Sequence, residues 1–395
     1  GLVGSEMCIR DSCEAGAFPS RIAPSANLCF HARCPCRQRR YNPRVGRILL
    51  GVLIAHKELA LTSAVALLSG GLDSQLAVRL VQQQGIEVLG LYFSSVFNAA
   101  PKDGGPPSAV KAASALTLKL ETVDISTGQI ELLKDPPHGL GSAANPCIDC
   151  HMLMLKIAAG RMRETGAAFL VTGEVLGQRP MSQRRHALDL IDRETGLEGL
   201  ILRPLSARHL AETTAENEGL IDRLRLEAIR GRSRTRQMAL AEKFGLSDYP
   251  SPAGGCLLTD PGFAHRIFDL LDHNTLDLDN ARLLKAGRHY RLGPRTKAVT
   301  GRNEAENYEI ESLAIEGDLF LFLDDAPGPT TLLRGEKTDD YIETAARLTA
   351  RASRARSADL AVVRVSEAPG PGAGGHTIEV TPASDELAAL FSINR

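Results

Sequence analysis

The stretch AVALLSGGLDSQLAVRLV, residues 64–81, places a glycine pair where an apolar strand pattern turns into a helical one. Val65, Ala66, Leu67 and Leu68 form the short apolar run of a buried parallel strand, and Leu72, Leu76, Val78, Leu80 and Val81 then recur at helical spacing. Between them, Gly70 and Gly71 let the backbone adopt unusual dihedrals and approach a ligand closely. The helix that follows presents unpaired N–H groups and the positive end of its dipole. The corner is a strand-to-helix turn suited to an anion.

Working outward, strand and helix alternate. EVLGLYF (87–93), LETVDI (120–125), AAFLVTGE (167–174) and GLILRPL (199–205) read as strands, and residues 108–118 and 151–164 as helices. The expected fold is therefore α/β, a doubly wound parallel sheet, whose ligands lie at the carboxyl ends of the strands. Residues 207–245 read as helical and arginine-rich. From about residue 285, DLFLFLDD, LAVVRVSE and HTIEVTPA read as strands of a small α+β domain, with one helix around residues 339–351 and a loop at 367–375. The expected division is an extension over 1–60, an α/β domain carrying the glycine corner over 61–280 and the small domain over 285–395.

The chain has 395 residues, 43% hydrophobic, enough for two or three cores. A formal net charge of −1 requires neither nucleic acid nor membrane, so any basic surface must be local. The longest apolar run, ILLGVLIA (48–55), is too short to cross a bilayer, and the expectation is a cytoplasmic protein without a membrane partner. Residues 1–60 begin with Gly, lack periodicity and include SEMCIRDS, which resembles a translated sequencing-adaptor tail; they read as a non-native or disordered extension. Cys8, Cys13, Cys29, Cys34 and Cys36 lie in that segment. A zinc knuckle from Cys29, His31, Cys34 and Cys36 fits no standard ligand spacing.

The corner lacks the lysine of a Walker loop and the G-x-G-x-x-G of a dinucleotide fold. Ser69-Gly70-Gly71-Leu72-Asp73-Ser74 resembles instead the PP-loop of the ATP pyrophosphatases, which cleave ATP between the α and β phosphates. The resemblance implies that the Gly70 and Gly71 amides and the Ser69 and Ser74 hydroxyls hold pyrophosphate, with Asp73 near Mg²⁺. The plain alternative is an ordinary capped helix start. NPCIDCH (145–151), TGEVLGQRPMSQ (172–183) and LRPLS (202–206) resemble the tRNA sulfurtransferases, 4-thiouridine synthetase and 2-thiouridylase among them. That implies Gly173, Glu174, Gln178, Ser182 and Gln183 around the nucleotide and reacting base. It also implies tRNA as substrate and either a cysteine desulfurase relay or sulfide as sulfur donor.

Cys147, Cys150 and Cys256 carry two readings from the same resemblance. In one, Cys150 bears a persulfide and closes a disulfide with Cys256 when sulfur leaves. In the other, all three hold a [4Fe-4S] cluster with one iron free to bind sulfide. The second gives Cys147 a part and is favoured for that reason.

Toward the end, GRNEAENYEIESLAIEGDLFLF (301–322), DAPGPTTLLRG (325–335) and AARLTARASRAR (345–356) resemble the NFACT-R RNA-binding domain. Aromatics are only 4% of the chain, so RNA contact would rest on phosphates rather than base stacking. DRLRLEAIRGRSRTRQ (222–237) adds Arg223, Arg225, Arg230, Arg232, Arg234 and Arg236, a solvated helix face or a tRNA contact. The expected function is ATP-dependent tRNA thiolation: adenylation of a uridine or cytidine carbonyl oxygen, then its replacement by sulfur. The rivals are a PP-loop amide or amidine ligase, which needs no CxxC pair, and a noncatalytic RNA-binding protein with a relic nucleotide pocket.

Overall fold

In the computed structural model, which describes residues 62–101, 104–250, 255–368 and 374–393, residues 64–81 take the expected turn. Strand β1 (Ser63–Leu67) is followed by helix α1 (Leu72–Gln82), whose buried face carries Leu72, Leu76, Val78, Leu80 and Val81. The readings of residues 1–60, including the cysteine-rich segment and its apolar run, lie outside the described residues.

Four more strands join β1: β2 (Glu87–Ser94), β3 (Lys119–Asp124), β4 (Phe169–Val171) and β5 (Ile201–Leu202). All pairings are parallel and the order is β3-β2-β1-β4-β5, a doubly wound sheet whose switch lies at β1. Between these strands run α2 (Ser108–Leu116), α3 (Ser126–Lys134), α4 (Cys147–Thr165) and α5 (Arg185–Thr195). One face packs α1 and α2 with Leu240 and Ala241. The other packs Met152 and Leu155 of α4 and Ile191 of α5 against Val65 and Leu170. Apolar residues on both faces are what a fully covered parallel sheet demands.

Two expectations are corrected. Helix α4 starts at Cys147, not at residue 151, because Pro146 precedes its first turn and sets the boundary. Residues 207–245 are mostly not α-helical. Only α6 (Thr214–Asn217) and α7 (Thr235–Phe244) are α-helix there, and Gly219 and Gly231, at φ +73° and +82°, interrupt the rest. Between them the chain runs extended beside the sheet edge: Glu227 N–H donates to Pro204 C=O (2.9 Å), Ile229 to Leu205 (2.8 Å) and Gly231 to Leu176 (2.7 Å).

Helices α8 (Pro261–Asp272) and α9 (Leu278–Leu283) form a satellite core with Phe97, Ile130 and Leu133, in which Phe97 and Phe263 meet edge to face at 6.4 Å. Beyond it lies an antiparallel sheet of β6 (Arg288–Gly293), β7 (Thr296–Thr300), β8 (Leu319–Leu323), β9 (Thr331–Arg334), β10 (Ala361–Glu367) and β11 (His376–Val380), in the order β11-β10-β8-β9-β7-β6. Three helices pack with it, α10 (Glu304–Ser312), α11 (Asp339–Ala352) and α12 (Asp385–Phe391), where the sequence suggested one. Arg291 of β6 grips Asp269 of α8 through two bonds of 3.1 and 2.5 Å. Beside that pair, Lys297 is buried with its ammonium 4.0 Å from Asp269, and both ring nitrogens of the buried His289 lack a hydrogen-bond partner in the structure.

Gly173, just past β4, lies against the start of α1: a Cβ there would stand 2.5 Å from Ser74 N and 2.7 Å from the Asp73 carbonyl carbon. Both atoms are backbone, so the strand and the helix would have to move apart. Gly173→Ala is expected to lower stability by about 2 kcal/mol or more, in the range of overpacked cores, with the loss read from chemical denaturation.

Candidate active site

The glycine corner is shaped by contacts as much as by turn propensity. Gly70 has φ +79°, and a Cβ on it would come within 2.2 Å of the Ser108 carbonyl carbon at the start of α2. Only glycine fits. Ser69 Oγ and Ser74 Oγ lie 3.2 Å apart, Ser74 Oγ donates to Gly71 C=O (2.9 Å), and the Gly71 amide donates to Ser69 Oγ (3.3 Å). Gln75 fixes the loop from beneath by donating to Gly70 C=O (2.9 Å) and Asp248 C=O (3.1 Å). No side chain caps α1, so its leading amides and dipole are left for a ligand.

Asp73 stands at the first turn of that helix. One carboxylate oxygen accepts from Gln178 Nε2 at 2.6 Å, and Gln178 Oε1 in turn accepts from Gln237 of α7 at 3.0 Å. The other oxygen, Oδ1, is buried and has no hydrogen-bond partner among the described residues. A buried carboxylate oxygen without a donor is costly unless a cation completes it, so the site fits a hard divalent ion such as Mg²⁺.

Glu174 stands one residue beyond Gly173. It is 5% exposed and fully engaged: Thr172 Oγ1 donates to it at 3.0 Å, Arg203 Nε at 2.8 Å, and His151 Nδ1 lies 2.9 Å away. Arg203 is clamped on its other side by Asp192, at 2.8 and 2.6 Å. Burial alone would raise the Glu174 carboxyl, but Arg203 and His151 bring it down to about 2. Glu174 is a charged strut that orients His151, the neighbour of Cys150. Gln183 also serves the loop: its Oε1 accepts the Arg179 amide (3.2 Å) and its C=O the Gly177 amide (2.6 Å). Ser182 is buried.

The structure does bring the three cysteines to one region. Cys147 and Cys150 occupy the first turn of α4, while Cys256 pairs in a short bridge with Asn98, just after β2, where Leu257 N–H donates to Phe97 C=O at 2.8 Å. The thiols lie close enough for Cys147 and Cys256 to raise the Cys150 value by charge repulsion. Among the described residues no group of three His, Cys, Asp or Glu side chains is placed to hold a metal ion. Asn145 Nδ2 donates to the Cys147 sulfur at 3.1 Å and Gln129 Nε2 to that of Cys150 at 3.0 Å. Cys147 thus has a local part in the helix start.

Gln129 of α3, His151 and Gln237 are site residues that the sequence did not single out. His151 lay inside a quoted motif and its signal was the adjacent cysteine. The two glutamines belong to no recognised pattern, and only the fold brings them in.

The arginine-rich segment is mainly structural. Arg223 pairs with Glu216 (2.7 Å) and donates to Ala207 and Leu210 carbonyls, Arg225 donates to Gln83 C=O (2.6 Å), and Arg236 holds Glu227 at 3.0 and 2.8 Å. Arg230 and Arg232 are exposed.

Residues 60–214 match the family model described as thiamine biosynthesis protein (ThiI), and residues 287–391 match that of the NFACT protein RNA binding domain. A probable tRNA sulfurtransferase of Caldanaerobacter subterraneus is 31% identical over 120 residues, 29% of this chain and 30% of that protein. The tRNA-specific 2-thiouridylase MnmA of Nitratidesulfovibrio vulgaris is 30% identical over 152 residues, 33% of this chain and 43% of that protein. The chain thus spans under half the length of these curated relatives. A solved 4-thiouridine synthetase in complex with RNA and ATP aligns over 57% of this chain and 52% of that one, with 20% identity and a TM-score of 0.33.

Burial pushes the Cys150 thiol up to about 12 and raises Cys256 as well, so both are neutral near pH 7. Alkylation of Cys150 by iodoacetamide, followed by peptide mass spectrometry, should therefore still be accelerating between pH 9 and 11, in contrast to an ordinary thiol near 8.5. A rate that levels off at about pH 9 would show an unshifted thiol. The chain joins a PP-loop segment similar to the tRNA sulfurtransferases to a segment that matches the NFACT RNA-binding domain.

Proposed function

We propose that the protein is an ATP-dependent tRNA sulfurtransferase that activates a uridine or cytidine carbonyl oxygen and exchanges it for sulfur. The observation that carries this reading is the Asp73 carboxylate, fixed by Gln178 on one oxygen and left buried and unpartnered on the other, at the uncapped start of α1.

In this reading Ser69, Gly70, Gly71 and Ser74 hold the departing pyrophosphate part of ATP, and Asp73 Oδ1 holds Mg²⁺. The metal, when bound, neutralises charge on the phosphates. The base carbonyl oxygen bonds to the α-phosphorus, the bond to the bridging α–β oxygen breaks, and pyrophosphate leaves with the electron pair. The oxygen now carries AMP and is a good leaving group. A sulfur nucleophile then bonds to the base carbon and AMP departs.

For the sulfur step we favour a persulfide on Cys150, since Cys147 is engaged by Asn145 at the helix start while Cys256 lies near enough to Cys150 to interact with it. The terminal sulfur bonds to the base carbon. Cys256, after losing its proton, attacks Cys150 Sγ; the S–S bond breaks, and the thiolated base leaves with its electrons. The resulting Cys150–Cys256 disulfide needs a two-electron thiol reductant and a fresh persulfide donor, such as a cysteine desulfurase relay, to reset. No helix among the described residues is long and apolar enough to cross a membrane, and this reading sets the protein in the cytoplasm with its tRNA.

With tRNA and a sulfur donor present, ATP should yield AMP and pyrophosphate in a Mg²⁺-dependent reaction, and Asp73→Asn should slow it by about a hundredfold or more. Chromatography of the nucleotide products and mass spectrometry of tRNA nucleosides provide the readouts. ADP and phosphate as products would overturn the reading, as would an unchanged thionucleoside content in cells lacking the gene.

A further inference from the structure

On the second sheet, a cleft of about 470 Å³ is lined by Arg288 at the start of β6, Arg351 near the end of α11, Arg356 in the turn after it, and Asp385 at the start of α12. Tyr290, Ser353, Ala388 and Ser392 complete much of its wall. Three guanidinium groups therefore face one carboxylate. Arg351 and Arg356 both donate to the same oxygen, Asp385 Oδ1, Arg356 at 3.1 Å. Asp385 is the most exposed of the set, with 73% of its side chain accessible, against 59% for Arg356 and 20% for Arg351.

Part of this arrangement serves the fold. Arg351 also donates to Ala383 C=O at 3.1 Å, and a cation suits the carbonyl end of α11. That accounts for Arg351 alone. Among the described residues Arg288 has no carboxylate partner, and Arg356 shares one already bound oxygen. An exposed ion pair of this kind adds little stability. The cleft retains two positive charges in excess, with hydroxyls and a tyrosine beside them, and is large enough for a nucleotide unit.

We propose that this cleft grips a phosphodiester of the tRNA backbone, with Asp385 as a resident carboxylate that occupies the arginines until a phosphate displaces it. Arginine forks match phosphate oxygens in the way they match a carboxylate, so the exchange keeps the same donors. The incoming chain also brings further phosphates toward Arg288, which Asp385 does not satisfy. The match of residues 287–391 to an RNA-binding domain names no such site, and the inference rests on the reading of tRNA as substrate.

The test is fluorescence anisotropy of labelled tRNA with the full-length protein across a salt series. Arg288→Gln with Arg356→Gln should weaken binding about tenfold and reduce the slope of log K against log salt by about 1.5 to 2, two phosphate contacts being lost. Asp385→Asn should tighten binding about threefold or more, because the competing charge is gone. A misfolded variant does not bind more tightly, so this second arm stands apart from any loss of structure. Unchanged affinity and slope in the double variant, or unchanged or weaker binding by Asp385→Asn, would overturn the site. So would competition by polyglutamate as effective as that by unlabelled tRNA, since the cleft would then take an acidic protein segment. Wild-type protein that binds no tRNA overturns the functional reading together with the site; binding that survives the arginine changes overturns the site alone.

Discussion

The buried Glu174 carboxylate is the interaction on which the half built on the parallel sheet depends. It stands where β4 ends, and its partners come from three other places: Thr172 on its own strand end, His151 on α4 and Arg203 just beyond β5, which continues to Asp192 on α5. A carboxylate this deep is tolerable only because each oxygen is met by charge-assisted donors. It follows that the helix carrying Cys147 and Cys150 cannot shift along the sheet without breaking His151 from Glu174. The angle of the CxxC turn is thus held by this ion network together with the apolar packing of Met152 and Leu155 against the sheet.

A second chain of polar contacts does the same for the nucleotide side. Asp73, Gln178 and Gln237 link the glycine corner to the loop after β4 and to α7. Because Gly70 and Gly173 allow backbone to touch backbone at both flanks of the corner, the loop has little room to adjust. The site is rigid before any ligand arrives, as catalysis by preorganised groups requires.

Much of this was legible in the sequence. SGGLDS between an apolar run and a helical stripe identified the turn, and the strand-helix alternation identified the sheet. The start of α4 was misplaced because Pro146 sits before cysteines that read more readily as a loop. The arginine-rich segment was misread as one helix because its charges hid Gly219 and Gly231, which break it into a short helix, an extended run and α7. Gln129 and Gln237 were invisible, since an amide gains a role only from what the fold sets opposite it. The amide partners of the thiols were also out of reach, since Gln129 meets Cys150 only through the placing of α3, and Cys256 is positioned by its bridge to Asn98.

The junction between the two sheets has its own proton economy. Lys297 is held down to about 7, chiefly by its burial and then by Arg291, Arg266 and Arg334, although Asp269 opposes them, and burial also lowers the neighbouring His289. In the unfolded chain the lysine keeps its proton up to about pH 10.4. Between these two values the unfolded state binds more protons than the folded one, so the contribution of Lys297 to stability rises with pH over that window. His289 acts in the same direction at lower pH, where unfolding would let it take a proton. The joint linking the parallel sheet to its neighbour is therefore weakest in acid and firmest in mild alkali; depressed carboxylates give a joint the same sign of dependence, but at pH values several units lower.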